Sequence, residues 1–181
     1  MTDTLFAVEQ DWVATTSDDA YTPRWVFDAM GLAFDLDVAA PLGGPWHVPA
    51  ARWYTAEDDG LTQPWDGLVW CNPPYSNYRP WAERWATHPT GVLMGLMGSR
   101  SPSRSIMFAA SDAVAFINCI FPRPHREPLN LMQAVFVAFR GVGTAPAERL
   151  AAANKHGAVL YGPPDVAVPQ EAEADARPET D

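Results

Sequence analysis

Residues 67–75, GLVWCNPPY, combine a short apolar run with an abrupt stop at two prolines. The run from Gly67 to Cys71 carries no charge, which is typical of a strand buried on both faces of a sheet. Pro73 and Pro74 have no amide proton to donate to a neighbouring strand, so the strand has to end beside Asn72. The stretch therefore predicts a buried strand that ends in a rigid turn.

Strand and helix patterns alternate on both sides of this run. The alternation predicts an α/β fold with a mostly parallel central sheet and an antiparallel C-terminal strand. Such a sheet binds its ligands beyond the carboxyl ends of its strands. The predicted strands span residues 32–40, 67–71, 92–97, 113–119 and 131–139, and the predicted helices span 22–30, 78–85 and a segment that starts near residue 102.

The ends of the first helix are marked by particular residues. Thr22 is predicted to cap it, Pro23 suits its first position and Gly31 is expected to end it.

The turn Asn72-Pro73-Pro74-Tyr75 has the hydrogen-bond acceptors to hold an exocyclic amine. Two prolines keep the segment rigid, while the Asn72 side chain and the carbonyls of the turn accept hydrogen bonds. Tyr75 offers an aromatic face, and stacking on a base is worth about 1–3 kcal/mol. From these residues alone, an ordinary turn with a buried tyrosine remains the alternative.

Charge is distributed unevenly along the chain. The 181 residues carry a net charge of −10 and are 48% hydrophobic, which fits one folded domain and excludes a wholly disordered chain. Residues 1–19 hold five acids and no base, residues 165–181 hold six acids and one base, and residues 20–164 hold 11 of each. We predict an acidic N-terminal arm at 1–19, a folded domain at 20–162 and a disordered acidic tail at 163–181.

Neither a membrane segment nor a metal site is expected from the sequence. No window reaches the roughly 20 apolar residues of a membrane span, and the first residues lack the pattern of a secretory signal. We therefore expect a cytoplasmic protein. Cys71 and Cys119 have no CxxC or Cys/His spacing, so they are predicted to be small buried apolar residues.

Four segments between about Tyr21 and Arg140 form a recognisable set. They are Tyr21-Thr22-Pro23 before a helix, FDLDVAA at 34–40, DDGL at 58–61 followed by Trp65, and NPPYS at 72–76. Together they resemble the phage-type DNA N6-adenine methyltransferases, the small Dam-like group. The resemblance implies a Rossmann-like class I methyltransferase that uses S-adenosylmethionine (SAM), acts on DNA and is of phage or prophage origin.

The resemblance also implies catalytic roles for residues 72–75. Asn72 Oδ1 and the Pro73 carbonyl accept hydrogen bonds from the adenine amine, Pro74 keeps the turn rigid and Tyr75 stacks on the ring. Two acceptors draw the amine toward tetrahedral geometry as it attacks, and its proton can leave after methylation, so no strong base is required. The base has to be flipped out because its amine is paired and stacked in a duplex.

A second set of residues is implied to bind the cofactor. Asp37 faces the methionyl ammonium, small residues after it allow close approach, and Asp59 points toward the ribose or adenine of SAM. The family's glycine-rich turn is replaced here by AAPLGGP at 39–45. A turn cap for Asp37, a simple helix start at 21–23 and an Asp-Gly turn at Asp59 are the alternatives. The implied set is Tyr21, Thr22, Pro23, Asp37, Ala39, Ala40 and Asp59.

The candidate DNA contacts are arginines. Arg100, Arg123 and Arg126 are predicted to bind phosphate, with arginines scattered on a solvated surface as the alternative. Trp81 and Trp85 lie at helical spacing and are predicted to be core residues. Trp65 is expected either to border the cofactor pocket or to pack beneath the loop.

Three other functions remain open at this point. The acceptor could be cytosine N4 or a glutamine side-chain amide, or the chain could be a catalytically silent nucleic-acid-binding or protein-binding module. The missing glycine-rich turn favours the silent module. Few side chains can reach base edges, so a short recognition sequence or relaxed specificity is expected.

Overall fold

The computed structural model describes residues 21–97, 102–123, 127–130 and 135–162. The predicted acidic segments 1–19 and 163–181 lie outside these ranges. The helices are α1 Arg24–Met30, α2 Tyr78–Thr87, α3 Pro102–Ala110 and α4 Ala145–Ala152. The strands are β1 Phe34–Asp37, β2 Ala50–Trp53, β3 Val69–Cys71, β4 Gly91–Leu96, β5 Ala113–Ile117, β6 Ile120–Phe121, β7 Leu129–Asn130, β8 Val135–Arg140 and β9 Ala158–Tyr161.

Seven of these strands form one sheet in the order β2-β1-β3-β4-β8-β5-β9. The pairs β1–β2, β1–β3 and β3–β4 are parallel, whereas β8 is antiparallel to both of its neighbours. The mostly parallel sheet with an antiparallel strand near the C-terminus is confirmed. A second antiparallel strand, β9, pairs with β5 and was not predicted. The first four residues of the predicted strand 131–139 lie outside the described residues.

Helices cover both faces of the sheet. Helices α1 and α4 bury Phe27, Met30 and Leu150 against one face, together with the Trp70 ring. Helix α2 buries Trp81 and Trp85 against the other face, so the prediction that both are core residues is confirmed. All three residues of β3 are buried, as predicted for a strand covered on both sides.

The start of α1 differs from the prediction. Pro23 occupies the N-cap position in extended backbone, with φ −71° and ψ 149°, and no side chain caps the helix. The Thr22 hydroxyl is buried instead and bonds to side chains of other elements. Gly31 ends the helix as predicted, with a left-handed φ of 63°.

The connections out of β1 and β3 leave in opposite directions across the sheet. The chain runs from β1 to β2 on one side, and from β3 through α2 to β4 on the other. In open α/β sheets, the crevice between two such strands, at their carboxyl ends, is where ligands bind. Asp37 is the last residue of β1 and Asn72 follows β3 directly.

Candidate active site

A cavity of about 330 Å³ opens beyond the carboxyl ends of β1 and β3. Its volume lies within the range of small-molecule sites, about 300–1,000 Å³. The cavity joins residues from the predicted cofactor set with residues from the predicted catalytic turn. Those that line it are Tyr21, Thr22, Asp37, Ala39, Ala40, Asn72 and Pro74.

Asp37 is a buried acid in the cavity wall. Its side chain is 2% exposed, and its Oδ1 accepts a hydrogen bond from the Ala39 amide at 3.2 Å. Burial raises the pKa of Asp37 to about 7 from an ordinary 3.8, and the Ala39 hydrogen bond offsets part of that rise. A carboxyl in this environment gains from a cation placed beside it, because an opposite charge restores the ionised form.

The small residues after Asp37 shape the rest of the wall. Ala39 and Ala40 line the cavity, followed by Pro41, Leu42 and Gly43. This segment stands where the resemblance implies a glycine-rich turn, and it brings backbone and small side chains to the cavity surface. A cofactor can therefore approach the chain closely here without a run of glycines.

Asn72 is held from two sides by hydrogen bonds. Its Nδ2 donates to the Thr22 hydroxyl at 3.2 Å, and its Oδ1 accepts from the Tyr75 hydroxyl at 3.0 Å. Thr22 lies 50 positions earlier in the chain, so the fold brings the segment before α1 against the turn after β3. The carboxamide therefore has a defined orientation at the cavity wall.

The proline turn continues into a 3-10 helix at Tyr75–Asn77. Pro73 is buried, and the Pro74 carbonyl accepts a hydrogen bond from the Asn77 amide at 3.2 Å. The Tyr75 ring is half-buried, with its centroid 6.4 Å from that of Tyr78. Tyr75 touches Asn72 beside the cavity without lining it.

Two of the predicted cofactor residues do not line the cavity. Pro23 lies at the start of α1, on the side toward Trp25 and Asn118. Asp59 is exposed, with a left-handed φ of 52°, and its carbonyl accepts from the Thr62 amide and hydroxyl. Asp59 thus adopts the Asp-Gly turn that the sequence left as its alternative, and the segment reaches the cavity through Ala56.

Trp46 lines the cavity and was not singled out from the sequence. It is 51% exposed, has a left-handed φ of 49° and places its ring centroid 5.2 Å from that of Tyr21. A positive φ is costly for a bulky residue and is often retained at functional sites. In the sequence, Trp46 directly follows Gly43-Gly44-Pro45 in the loop after β1. This position was the signal that could have identified it as a cavity residue.

Trp65 packs beneath its loop instead of bordering the cavity. Its Nε1 donates to the Gly60 carbonyl at 2.8 Å, and the Arg84 guanidinium lies 4.6 Å above its ring. Arg84 also donates to the carbonyls of Leu61 and Gln63. This cluster fixes the loop between β2 and β3, which is the packing role that the sequence left open for Trp65.

Arg123 lies two residues after β6. The Tyr21 amide donates to the Pro122 carbonyl at 3.2 Å, which ties this segment to the cavity wall. The Arg123 guanidinium itself donates to the Glu127 carbonyl at 2.8 and 2.6 Å. Arg100 and Arg126 lie outside the described residues.

Cys71 and Cys119 are buried and free, as predicted. Within the described ranges, no three or more His, Cys, Asp or Glu side chains come together as a metal site. No helix in the part of the chain that the structure describes has the length and apolarity to cross a membrane.

Comparison with known proteins adds one finding. A family model described as DNA N-6-adenine-methyltransferase (Dam) matches residues 11–119, more than half of the chain. The matched range contains β1, β3 and all four segments on which the resemblance rests, and it ends before β8. A search of curated proteins found no match.

Proposed function

The chain belongs to the DNA N-6-adenine-methyltransferase (Dam) family, and on that premise we propose that it transfers a methyl group from SAM to the N6 amine of adenine in DNA. The observation that carries the proposal is the shared cavity. Asp37 ends β1, Asn72 directly follows the adjacent parallel strand β3, and both line the same cavity of about 330 Å³. The two residues to which we assign the SAM ammonium and the target amine therefore line one cavity.

The residues of the cavity fit SAM. Its methionyl ammonium is a cation, which suits the buried Asp37 carboxyl. Its adenine is a planar aromatic ring, which suits the rings of Tyr21 and Trp46. When bound, SAM supplies an electrophilic methyl group on its sulfonium. A Rossmann-like methyltransferase fold is consistent with the mostly parallel sheet.

The chain's own contribution to the reaction is to hold and orient the target amine. We assign Asn72 Oδ1 and the Pro73 carbonyl as acceptors for the two amine protons, with Tyr75 stacking on the base. Acceptors that are fixed in advance favour the tetrahedral nitrogen that forms in the transition state. The proton leaves after the nitrogen has become cationic, so no general base has to line the cavity.

DNA is the proposed substrate, with the target adenine flipped out of the duplex. Arg123 supports this assignment because its segment is tied to the cavity wall through Pro122 and Tyr21. Arg100 and Arg126 remain sequence-based candidates for phosphate contacts. Phage or prophage origin likewise remains a prediction from the resemblance.

The test is transfer of labelled methyl groups from SAM to unmethylated DNA, followed by nucleoside analysis. The proposal predicts N6-methyladenine. Formation of N4-methylcytosine would show that cytosine is the acceptor, and labelling of a glutamine amide would show that the acceptor is a protein. A protein that neither transfers methyl groups nor binds SAM in calorimetry would refute the enzyme proposal and favour the silent binding module.

Asn72→Ala separates the amine-holding role from cofactor binding. Loss of the amide acceptor is expected to lower methyl transfer at least about 100-fold, the scale seen when one preorganised polar contact to a transition state is removed. SAM affinity, measured by calorimetry, is expected to change less than about threefold. Wild-type turnover in this variant would remove Asn72 from its assigned role.

A further inference from the structure

A second cavity, of about 450 Å³, opens beside the candidate active site. Pro23 lines this side groove, whereas the two residues before it, Tyr21 and Thr22, line the active-site cavity. Consecutive α-carbons are only about 3.8 Å apart, so the two cavities border the same short segment. The wall of the side groove also includes one cation, two amides and two apolar side chains, those of Lys155, Asn118, Asn154, Trp25 and Ile120.

The side groove lies at the same edge of the sheet as the active-site cavity. Strands β4 and β5 are both antiparallel to β8 and therefore run in the same direction, with Leu96 and Ile117 aligned on either side of Val135. Asn118 follows β5 directly, so the chain leaves the sheet there at its carboxyl edge. The active-site cavity opens at this edge, and a ligand that extends along it can reach both cavities.

The loop between α4 and β9 is fastened to this edge by the Asn154 carboxamide. Its Nδ2 donates to the Asn118 carbonyl at 2.8 Å, and its Oδ1 accepts from the amides of Asn118 and His156, each at 3.3 Å. Lys155 lies between Asn154 and His156 in the chain, so these bonds fix the backbone on both sides of it. The lysine is thereby held at the groove wall.

The side groove combines positive charge with apolar surface, and no carboxylate is among the described residues that line it. Lys155 is exposed and forms no ion pair within the described ranges. Arg123 bonds to a backbone carbonyl instead of a carboxylate, so its charge adds to that of Lys155. Ile120 is 58% exposed and Trp25 is half-buried. This composition is complementary to a strand of phosphates, sugars and bases.

We propose that the side groove binds the DNA backbone next to the target adenine, with Lys155 contacting a phosphate. The inference rests on the proposed function, because it names the surface that receives the strand whose adenine enters the active-site cavity. A flipped nucleotide stays joined to its neighbours through phosphates, so those phosphates pass close to the rim of that cavity. Lysine neutralises phosphate charge and fixes the register of the strand.

A purely structural role for Lys155 is the competing explanation. Lys155 follows the C-terminal end of α4, where the helix dipole favours a cation whether or not DNA binds. Such a role changes the stability of the protein but leaves DNA affinity and its salt dependence as they are. The two explanations therefore differ in a binding experiment.

The test measures the affinity of the full chain for a short unmethylated duplex by fluorescence anisotropy at several salt concentrations. Lys155→Gln removes the charge at similar size, so Kd is expected to rise about three- to tenfold at about 0.1 M salt. The slope of log affinity against log salt concentration should become shallower by about one, as expected for the loss of one phosphate contact. Lys155→Arg keeps the charge and is expected to retain the wild-type Kd and slope. SAM affinity, measured by calorimetry, should be unchanged in both variants.

Arg52→Gln is the matched control for the loss of charge. Arg52 is exposed on β2, the edge strand at the opposite end of the sheet from β9, and pairs with Asp66 at 3.7 Å. Screening by salt limits its effect on DNA bound at the side groove, so Kd should stay within about twofold of wild type and the slope should not change.

A second pair of variants tests the groove without changing Lys155. Ile120→Glu places a negative charge in the groove and is expected to weaken DNA binding about tenfold. Leu160→Glu makes the same change of charge on β9, at a side chain of similar exposure, 56% against 58%. Because Leu160 lies outside the groove, its variant is expected to bind DNA within about twofold of wild type.

Cross-linking locates the contact directly, because Lys155 is the only lysine in the chain. Duplex DNA with aldehyde-bearing abasic sites forms an imine with a nearby amine, and borohydride reduces the imine to a stable link. We expect peptide mapping to find the link at Lys155 and to lose it in Lys155→Gln. A link to the N-terminal amine alone would overturn the inference.

The outcomes separate this inference from the proposed function. The inference is overturned if Lys155→Gln keeps the wild-type Kd and salt slope, if the wild type binds no DNA, or if the two control variants lose as much affinity as the groove variants. A wild type that binds DNA through Lys155 but neither binds SAM nor transfers methyl groups would refute the proposed methyltransferase and support the groove.

Discussion

At the scale of single residues, Asp37 is the side chain whose environment departs most clearly from that of a surface acid. Burial raises its pKa to about 7 from 3.8. Burial therefore favours the neutral form, so the contribution of Asp37 to stability is greatest below pH 3.8 and is lost as the pH rises through 7. Between pH 3.8 and 7, the contribution of Asp37 to the free energy of unfolding changes by about 4 kcal/mol at most, because each pKa unit corresponds to about 1.4 kcal/mol.

Asp37→Asn is expected to affect stability and binding in opposite directions. The variant keeps a neutral side chain, so its free energy of unfolding at pH 8 should exceed that of wild type by up to about 4 kcal/mol, with the gain shrinking as the pH falls toward 4. Its SAM affinity should fall at least about tenfold, because the partner of the ammonium is lost. Denaturant unfolding at several pH values and calorimetry provide the two measurements.

Asp28→Asn is the control for Asp37. The Asp28 carboxylate is exposed and pairs with Arg24 at 3.4 Å, so its loss should change stability by less than about 1 kcal/mol and leave SAM binding intact. An Asp37→Asn protein that binds SAM normally and gains no stability at pH 8 would contradict the assigned role.

Tyr75 combines a ring proposed to stack on the base with a hydroxyl that contacts Asn72. Tyr75→Ala removes both and is expected to lower kcat/KM for DNA by about 1–3 kcal/mol in free-energy terms. Tyr75→Phe keeps the ring and should show a clearly smaller loss. Steady-state kinetics with a short duplex measures both variants, and equal losses would show that the hydroxyl matters more than stacking.

At the scale of elements, the sequence predicted those with strong apolar patterns. Strand β3 and helix α2 were predicted because each is apolar on the faces that it buries. Strands β2 and β9 lie at the edges of the sheet and are mostly exposed, so their side chains carry no clear alternation. Helix α4 was missed because its buried residues are mainly alanine and proline.

The loop between β1 and β2 supplies an exposed aromatic ring to the cavity wall, that of Trp46. Trp46→Ala is expected to weaken SAM binding about tenfold, and Trp46→Phe should weaken it less. Both variants keep a β-carbon at the same left-handed φ, so the comparison isolates the ring from backbone strain. Calorimetry measures the SAM affinity of both variants. Identical affinities for Trp46→Ala and Trp46→Phe would exclude an aromatic contact between residue 46 and SAM.

At the scale of the whole molecule, the candidate site depends on the order and packing of the strands and helices, and only part of that arrangement can be predicted from the sequence. The alternation of strands and helices predicted that the strand ends carry ligands, and Asp37 and Asn72 were found this way. The contact between Thr22 and Asn72 spans 50 positions and depends on how α1 packs beneath the sheet, so no local pattern predicts it. The same holds for Trp46, which reaches the cavity through the path of a loop.

The negative charge of the whole chain is concentrated in its terminal segments. Residues 163–181 carry a net charge of −5, while residues 20–164 are neutral. Removing residues 163–181 should tighten DNA binding several-fold at about 50 mM salt, because a like-charged segment no longer repels the phosphates. Fluorescence anisotropy with a short duplex measures the effect, and it should vanish near about 0.5 M salt. An unchanged affinity at low salt would exclude this electrostatic role.

The central claim is that the methyl donor and the target amine meet in the cavity between β1 and β3. A crystal structure with S-adenosylhomocysteine tests it most directly. The account predicts that the ligand's ammonium lies within hydrogen-bonding distance of the Asp37 carboxylate and that its sulfur faces Asn72. A ligand bound elsewhere on the protein, or facing away from Asn72, would contradict the account.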